Sequence, residues 1–300
     1  AMRERRSRSS REWTAWPSAL LALLLVLALR PPAVAAQERP TPAVADTVVE
    51  VVLEDGTTLI GRVTEVDAGT VVLETPGGAR ITLERSSIAS ITIARGRVVG
   101  RDYWISDPND TRLYFASTGR TLARGEGYVG TYIVVLPFIG YGVTDRFTLA
   151  AGAPVLFGSL QPVYIAPKFQ VIRADAARIS IGTLAFLSDG EVGGVAYGIA
   201  TLGTRDVALH LGAGLGFAGD DLQSEPVAMS GGEARVSPRV KLLTENYLIP
   251  DDDSDLVFSF GLRLIGERLS TDIGVAGVAG DDSGCCLPLI NFSYAFGGAR

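Results

Sequence analysis

"LINFSYAF", residues 289–296, alternates strictly. Ile290, Phe292, Tyr294 and Phe296 fall on one side of an extended chain, and Asn291, Ser293 and Ala295 fall on the other. A period of two marks a strand with one apolar face. What that face touches, a second protein layer or lipid, decides the architecture.

The same texture runs back through the last two hundred residues. "VALHLGAGLGF" (207–217) sets Val207, Leu209, Leu211, Leu215 and Phe217 against His210, Gly212, Gly214 and Gly216. "RFTLAAGAPVLF" (146–157), "VYIAPKFQV" (163–171) and "DLVFSFGLRLIG" (255–266) alternate in the same way. Alternation alone also fits a soluble sandwich. Three features favour a membrane-spanning barrel. The segments are about ten residues long, the reach of a tilted spanning strand. Short turns such as "TD" (144–145), "ADAA" (174–177) and "TRD" (204–206) alternate with longer acidic loops such as "SDGEVGG" (188–194), "PDDDSD" (250–255) and "GDDSGCC" (280–286). Counting from "TRLYFAS" (111–117) through 126–143 to the segment at 287–297 gives about twelve strands, an even number. The fold expected is all-β: a closed antiparallel transmembrane barrel over 111–300. In hydrocarbon every backbone N–H and C=O must pair within the protein, and a sheet achieves this only by closing.

The final strand, with Ile290, Phe292, Tyr294 and Phe296 on its apolar face, resembles the assembly signal that ends bacterial outer-membrane barrels. Residues 110–300 look most like the porin-like barrels of Gram-negative bacteria. That resemblance implies an outer-membrane location, contact with outer-membrane lipid, and recognition by the barrel-assembly machinery during insertion.

Upstream, five short alternating runs lie between 47 and 95, with turns at "EDG" (54–56) and "PGG" (76–78). They predict a small five-stranded barrel, and the segment resembles SH3-like and Sm-like domains. It is expected in the periplasm, with a docking partner that the sequence does not name. A linker is expected at 96–110 and a Pro/Ala-rich one at 37–46. The start of the chain carries Arg3, Arg5, Arg6, Arg8 and Arg11, then "ALLALLLVLAL" (19–29), then small residues at Ala33, Ala35 and Ala36. This reads as a secretory signal peptide over 1–36. Its removal takes six Arg and two Glu with it and moves the formal charge from −6 to −10. An exported acidic chain has no electrostatic attraction for nucleic acid. Cys285 and Cys286 are adjacent and staple no framework.

Alternation assigns Arg146, Lys168, Gln170, Arg178, His210, Glu233, Arg235, Arg263 and Asp272 to the lumen. Small residues at Gly194, Ala196, Gly198, Ala200, Gly212, Gly214 and Gly216 are expected beside them, leaving room for a water-filled passage. The expected function is a narrow channel or transport protein for small solutes, with the basic excess favouring anions. Opposed to this are lumen charges that pair and close the barrel. A structural barrel that holds a docking domain is a second reading, and a lipid hydrolase a third. The hydrolase needs a base for a nucleophile, and His210 is the single His, with no Ser two residues away. No catalytic residue, metal or cofactor is expected; the acidic runs lack the spacing of a dedicated Ca²⁺ loop.

Overall fold

A computed structural model describes residues 47–155, 161–223, 225–249, 255–279 and 287–297. The expected signal peptide, the linker at 37–46 and the Cys285–Cys286 pair lie outside the described residues.

The first five strands are β1 (Val48–Leu53), β2 (Thr58–Val66), β3 (Thr70–Glu74), β4 (Arg80–Glu84) and β5 (Ile88–Ile93). Their period-two pattern sends Val49, Val51, Val71 and Leu73 into a core of their own, with Val63 and Leu83. Gly56 and Gly78 take φ of +84° and +87°, the left-handed values that the "EDG" and "PGG" turns need. The sheet is antiparallel in the order β4-β3-β2-β1-β5. It is open, where a closed small barrel was expected: the 3₁₀ turn Arg85–Ser87 carries the chain from the β4 edge to the β5 edge without a ladder between them. Leu73 is fully buried, so Leu73→Ala is expected to cost about 2–5 kcal/mol through lost burial and a cavity. Hydrogen exchange should show β1–β5 losing protection while the rest of the chain keeps its own.

The expected linker at 96–110 is instead mostly a hairpin, β6 (Gly96–Val99) with β7 (Asp102–Ile105). Trp104 lies between the guanidinium groups of Arg97 and Arg235, 5.5 and 5.3 Å from its ring centre.

Twelve strands then close a barrel. They are β8 (Glu126–Tyr132), β9 (Leu136–Thr144), β10 (Phe147–Gly152), β11 (Val163–Arg173), β12 (Ala177–Ser188), β13 (Glu191–Gly203) and β14 (Val207–Ala218). After the two-residue extension β15 (Asp221–Leu222) come β16 (Val227–Ser237), β17 (Val240–Ile249), β18 (Asp255–Ile265), β19 (Leu269–Ala279) and β20 (Leu287–Gly297). Neighbours pair antiparallel throughout, and β20 closes on β8 from Phe292 opposite Thr131 to Gly297 opposite Glu126. No open edge remains in the main ladder, as lipid requires.

The count of twelve matches expectation with different members. Residues 111–117 form no barrel strand, and 126–143 is two strands rather than one. Ile133 and Val134 reverse the chain between them at φ of +47° and +67°. Two β-branched residues at positive φ are a turn that no propensity rule suggests. The expected loop at 188–194 is also a tight turn, with Asp189 and Gly190 at positive φ, so β12 and β13 run on to meet each other. Register shifts after Phe147, Gln170 and Arg235 all lie near the short-turn end, where bulges bend a barrel rim.

One face of the strands is exposed and apolar. Ile290, Phe292 and Tyr294 are exposed, as are Leu211, Phe260 and Ile273, while Asn291 and Ser293 point inward and are buried. Phe296 is half-buried, its ring lying over Gly127. In a soluble sandwich these apolar groups face the interior; here the polar ones do.

Candidate functional site

An eight-stranded barrel is filled by its own side chains, and one of sixteen leaves an aqueous channel. Twelve strands leave a gap. Residues 106–125, between β7 and β8, enter that gap as a reversed loop whose two legs are bridged at Arg112 and Ser117. Leu113 and Tyr114 at its tip are fully buried, against Ile199, Met229, Leu243 and Leu289. The segment is a stopper, and the passage expected between the lumen charges is occupied by it.

The stopper carries almost no secondary structure, so its buried backbone groups need partners from elsewhere. The barrel wall supplies them. Arg263 donates to the carbonyl oxygens of Asn109, Arg112 and Leu113, at 2.5, 3.2 and 3.0 Å. Lys168 donates to those of Thr111 and Thr118. Gln170 and Ser180 both donate to that of Gly119, and Asn291 to that of Tyr114. Glu245 accepts the amides of Phe115 and Ala116, and Thr201 accepts that of Gly119.

Charge locks the same fit. Lys241 and Arg263 stand directly opposite each other across the β17–β18 ladder. Like charges so placed repel unless an anion lies between them. Asp107 of the stopper is that anion: its Oδ2 is 2.7 Å from Lys241 Nζ and 3.2 Å from Arg263 Nη1. Burial alone would raise the Asp107 carboxyl, but Lys241 and Arg263 outweigh it and hold it well below the usual carboxylate range. On the wall, Asp272 grips Arg263 through both oxygens, at 2.6 and 3.0 Å. Glu233 accepts Lys241 at 2.9 Å and pairs with Arg120 of the stopper at 2.6 Å.

Of the nine residues assigned to the lumen, six are buried on the inward face: Lys168, Gln170, His210, Glu233, Arg263 and Asp272. Four of these hold the stopper directly; Asp272 acts through Arg263, and His210 through Thr201. The other three lie at the short-turn rim. Arg146 is exposed in the turn after β9, Arg178 is half-buried at the start of β12, and Arg235 is half-buried over Trp104. Arg178 stands opposite inward Thr201 and Arg235 opposite inward Lys241, so both keep the inward parity, but with Arg146 they sit where strands meet the short turns.

Gly194, Ala196, Gly198 and Ala200 are also corrected: the opposite parity of β13 points inward, with Tyr197, buried Ile199 and buried Thr201. The bulk of β13 fits the glycines of β14, since Tyr197 stands opposite Gly214, and a Cβ there would lie 2.6 Å from Val195 Cγ1. Lys241, Glu245, Asn291 and Thr201 were missed in the lumen, as were Asp107 and Arg120 in the stopper. The run "VKLLTENYLI" (240–249) puts Lys241 and Glu245 in step with Leu243, so neither face of β17 reads as purely apolar.

His210 Nδ1 is 2.8 Å from Thr201 Oγ1, and its Nε2 is 3.8 Å from Glu233. Thr201, His210 and Glu233 are all sealed beneath the stopper, at 2%, 0% and 3% exposure, so a lipid ester has no path to them while it is seated.

Between the stopper's tip and the loop end lies a cavity of about 590 Å³. Its wall is rich in aromatic rings: Tyr128, Tyr132, Phe138, Tyr164, Tyr197 and Tyr247 all line it. Tyr128, Tyr197 and Tyr247 are of the residue type that suits interfacial girdles, yet they are turned inward. Leu136, Pro154, Pro162 and Val227 border the cavity toward the loop end.

No protein-family model matches the chain, and no curated protein matches it. Solved structures similar to it are outer-membrane proteins. KdgM porin is 9% identical, with 57% of this chain and 98% of that one covered at a TM-score of 0.44. NanC porin is 9% identical, with 59% and 100% covered at 0.40. OmpT of Vibrio cholerae is 10% identical, with 84% and 96% covered at 0.30. This chain is a closed twelve-stranded antiparallel barrel by its own strand pairing. Likenesses at these scores add nothing about its ligand or its work.

Proposed function

We propose that the chain is a channel-type barrel of a Gram-negative outer membrane, held closed by its own residues 106–125. The observation that carries this reading is the match between stopper and wall: Asp107 lies between Lys241 and Arg263, and Arg120 lies on Glu233. The exposed apolar belt supports contact with outer-membrane lipid. The strand bearing Ile290, Phe292, Tyr294 and Phe296 is the one offered to the assembly machinery. The small sheet lies at the short-turn end, the periplasmic side in this reading. Arg95 donates to the Gly297 carbonyl there at 2.9 Å, and Arg97 pairs with Asp206.

The test is conductance in planar bilayers. The intact chain should insert, show heat-modifiable migration on a gel, and carry little current. A chain with 108–121 replaced by a Gly/Ser linker should carry a steady current, because both legs of the stopper leave at one end and a linker joins them. A linker variant that inserts but passes no current would overturn the channel. That outcome would leave a second reading, a structural barrel that holds a docking sheet in the periplasm, which the contacts of Arg95 and Arg97 at the short-turn end favour.

A further inference from the structure

We infer that the aromatic cavity above the stopper is a binding site for an amphipathic carboxylic acid, an apolar or aromatic body carrying one carboxylate. The inference rests on the stoppered reading, because Arg112 reaches the cavity only while 106–125 is seated.

Among the described residues two charged side chains line the cavity, Arg112 and Lys168; both are cations, and no described acid lines it. Lys168 is satisfied by two carbonyl oxygens of the stopper. Arg112 is different. It is 3% exposed, and its Nε donates to Asn109 Oδ1 at 2.7 Å. Its Nη1 and Nη2 are buried and have no hydrogen-bond partner among the described residues. A buried guanidinium with its outer fork unused is costly, because those N–H groups have lost water and gained nothing comparable. Part of the charge is met by rings: the guanidinium carbon is 4.2 Å from the centre of Phe138 and 4.7 Å from that of Tyr132. Rings stabilise the cation without using its in-plane donors. What fits those donors is a planar anion, and a carboxylate accepts two parallel bonds from the Arg fork.

The rest of the cavity selects the body of the ligand. Its wall is aromatic and aliphatic, and its volume lies within the usual range for small-molecule sites. A strongly hydrated oligosaccharide or a bare inorganic anion leaves these rings unused. A phenylalkyl or acyl chain packs on them, with its carboxylate down on Arg112.

The probe is 4-phenylbutyrate, with 4-phenylbutan-1-ol as its uncharged match. Binding is read by equilibrium dialysis against the full-length chain in lipid nanodiscs, with protein-free nanodiscs subtracted. The acid should bind roughly tenfold or more tighter than the alcohol, the worth of one charge-assisted pair. Arg112→Gln should erase that preference. Leu184→Trp, which adds bulk to the cavity from the β12 wall and leaves the Arg112 side chain unchanged, should remove binding of both ligands; it also covers the case in which Arg112→Gln unseats the stopper. Equal binding of acid and alcohol by the intact chain overturns the anion site, and undiminished binding by Leu184→Trp places the ligand elsewhere and overturns the cavity. If the linker variant conducts and the intact chain binds neither probe, the stoppered channel stands and this site falls. If the acid binds as expected and the linker variant carries no current, the site stands and the channel falls.

Discussion

Asp107→Ala is expected to release the stopper and open the barrel. Without Asp107, Lys241 and Arg263 face each other across one ladder rung with no anion between them. Removing one partner from a buried ion cluster costs about 3–5 kcal/mol, chiefly because the charges left behind remain desolvated. That loss falls on the seating of 106–125 rather than on the barrel, whose ladder is complete without it. Bilayer current should therefore rise well above that of the intact chain while heat-modifiable migration is retained. A second substitution separates repulsion from simple loss of contact. Adding Lys241→Met to Asp107→Ala removes one of the two opposed cations, so the pair should be less disruptive than the sum of the singles. Strict additivity would mean that Asp107 does not act as the shared anion. The sign of the pH effect follows from the same geometry. Asp107 is held below its unfolded value of about 3.9, so its contribution is present above that value and is lost as pH falls through the lower folded one. Mild acid should leave the Asp107 ion pairs in place.

Phe260→Arg should block assembly in lipid. Phe260 lies mid-strand in β18 on the exposed apolar face, 57% exposed. An Arg near the midplane of a barrel's lipid face costs about 2–4 kcal/mol, whereas the same change on a water-facing surface is close to neutral. Yield of the heat-modifiable form after refolding into vesicles measures it. A variant that folds as well as the parent, or folds equally well without lipid or detergent, would show that the apolar belt faces something other than acyl chains.

The sequence revealed the barrel more readily than its contents, for physical reasons. A spanning strand repeats one simple pattern, and segments such as 207–217 and 287–297 carry it without interruption. The wall residues Lys168, Gln170, His210, Glu233, Arg263 and Asp272 were legible because a polar group out of step with outward-facing apolar neighbours has only one place to go. The stopper carries no such pattern. "TRLYFAS" alternates well enough to pass as a strand, and it is buried by wall side chains scattered over many strands, among them Lys168, Ile199, Met229, Glu245, Arg263 and Asn291. Nothing local records that Asp107 will meet Lys241 and Arg263, over 130 residues away in the chain. The aromatic cavity was hidden for a related reason. Tyr128, Tyr197 and Tyr247 suit an interfacial belt as well as a lumen, and only the register decides which side they take.

Both legs of the stopper leave the barrel at the same end, one running from Ile105 and the other into Glu126. A withdrawn stopper is therefore still a tethered one, and it never has to thread a free terminus. Its local concentration at its own seat is of the millimolar order expected of a short flexible connection. Dilution cannot remove it, and a soluble peptide of the same sequence would compete only at comparable strength. Reclosure is a first-order event, independent of how many copies the membrane holds.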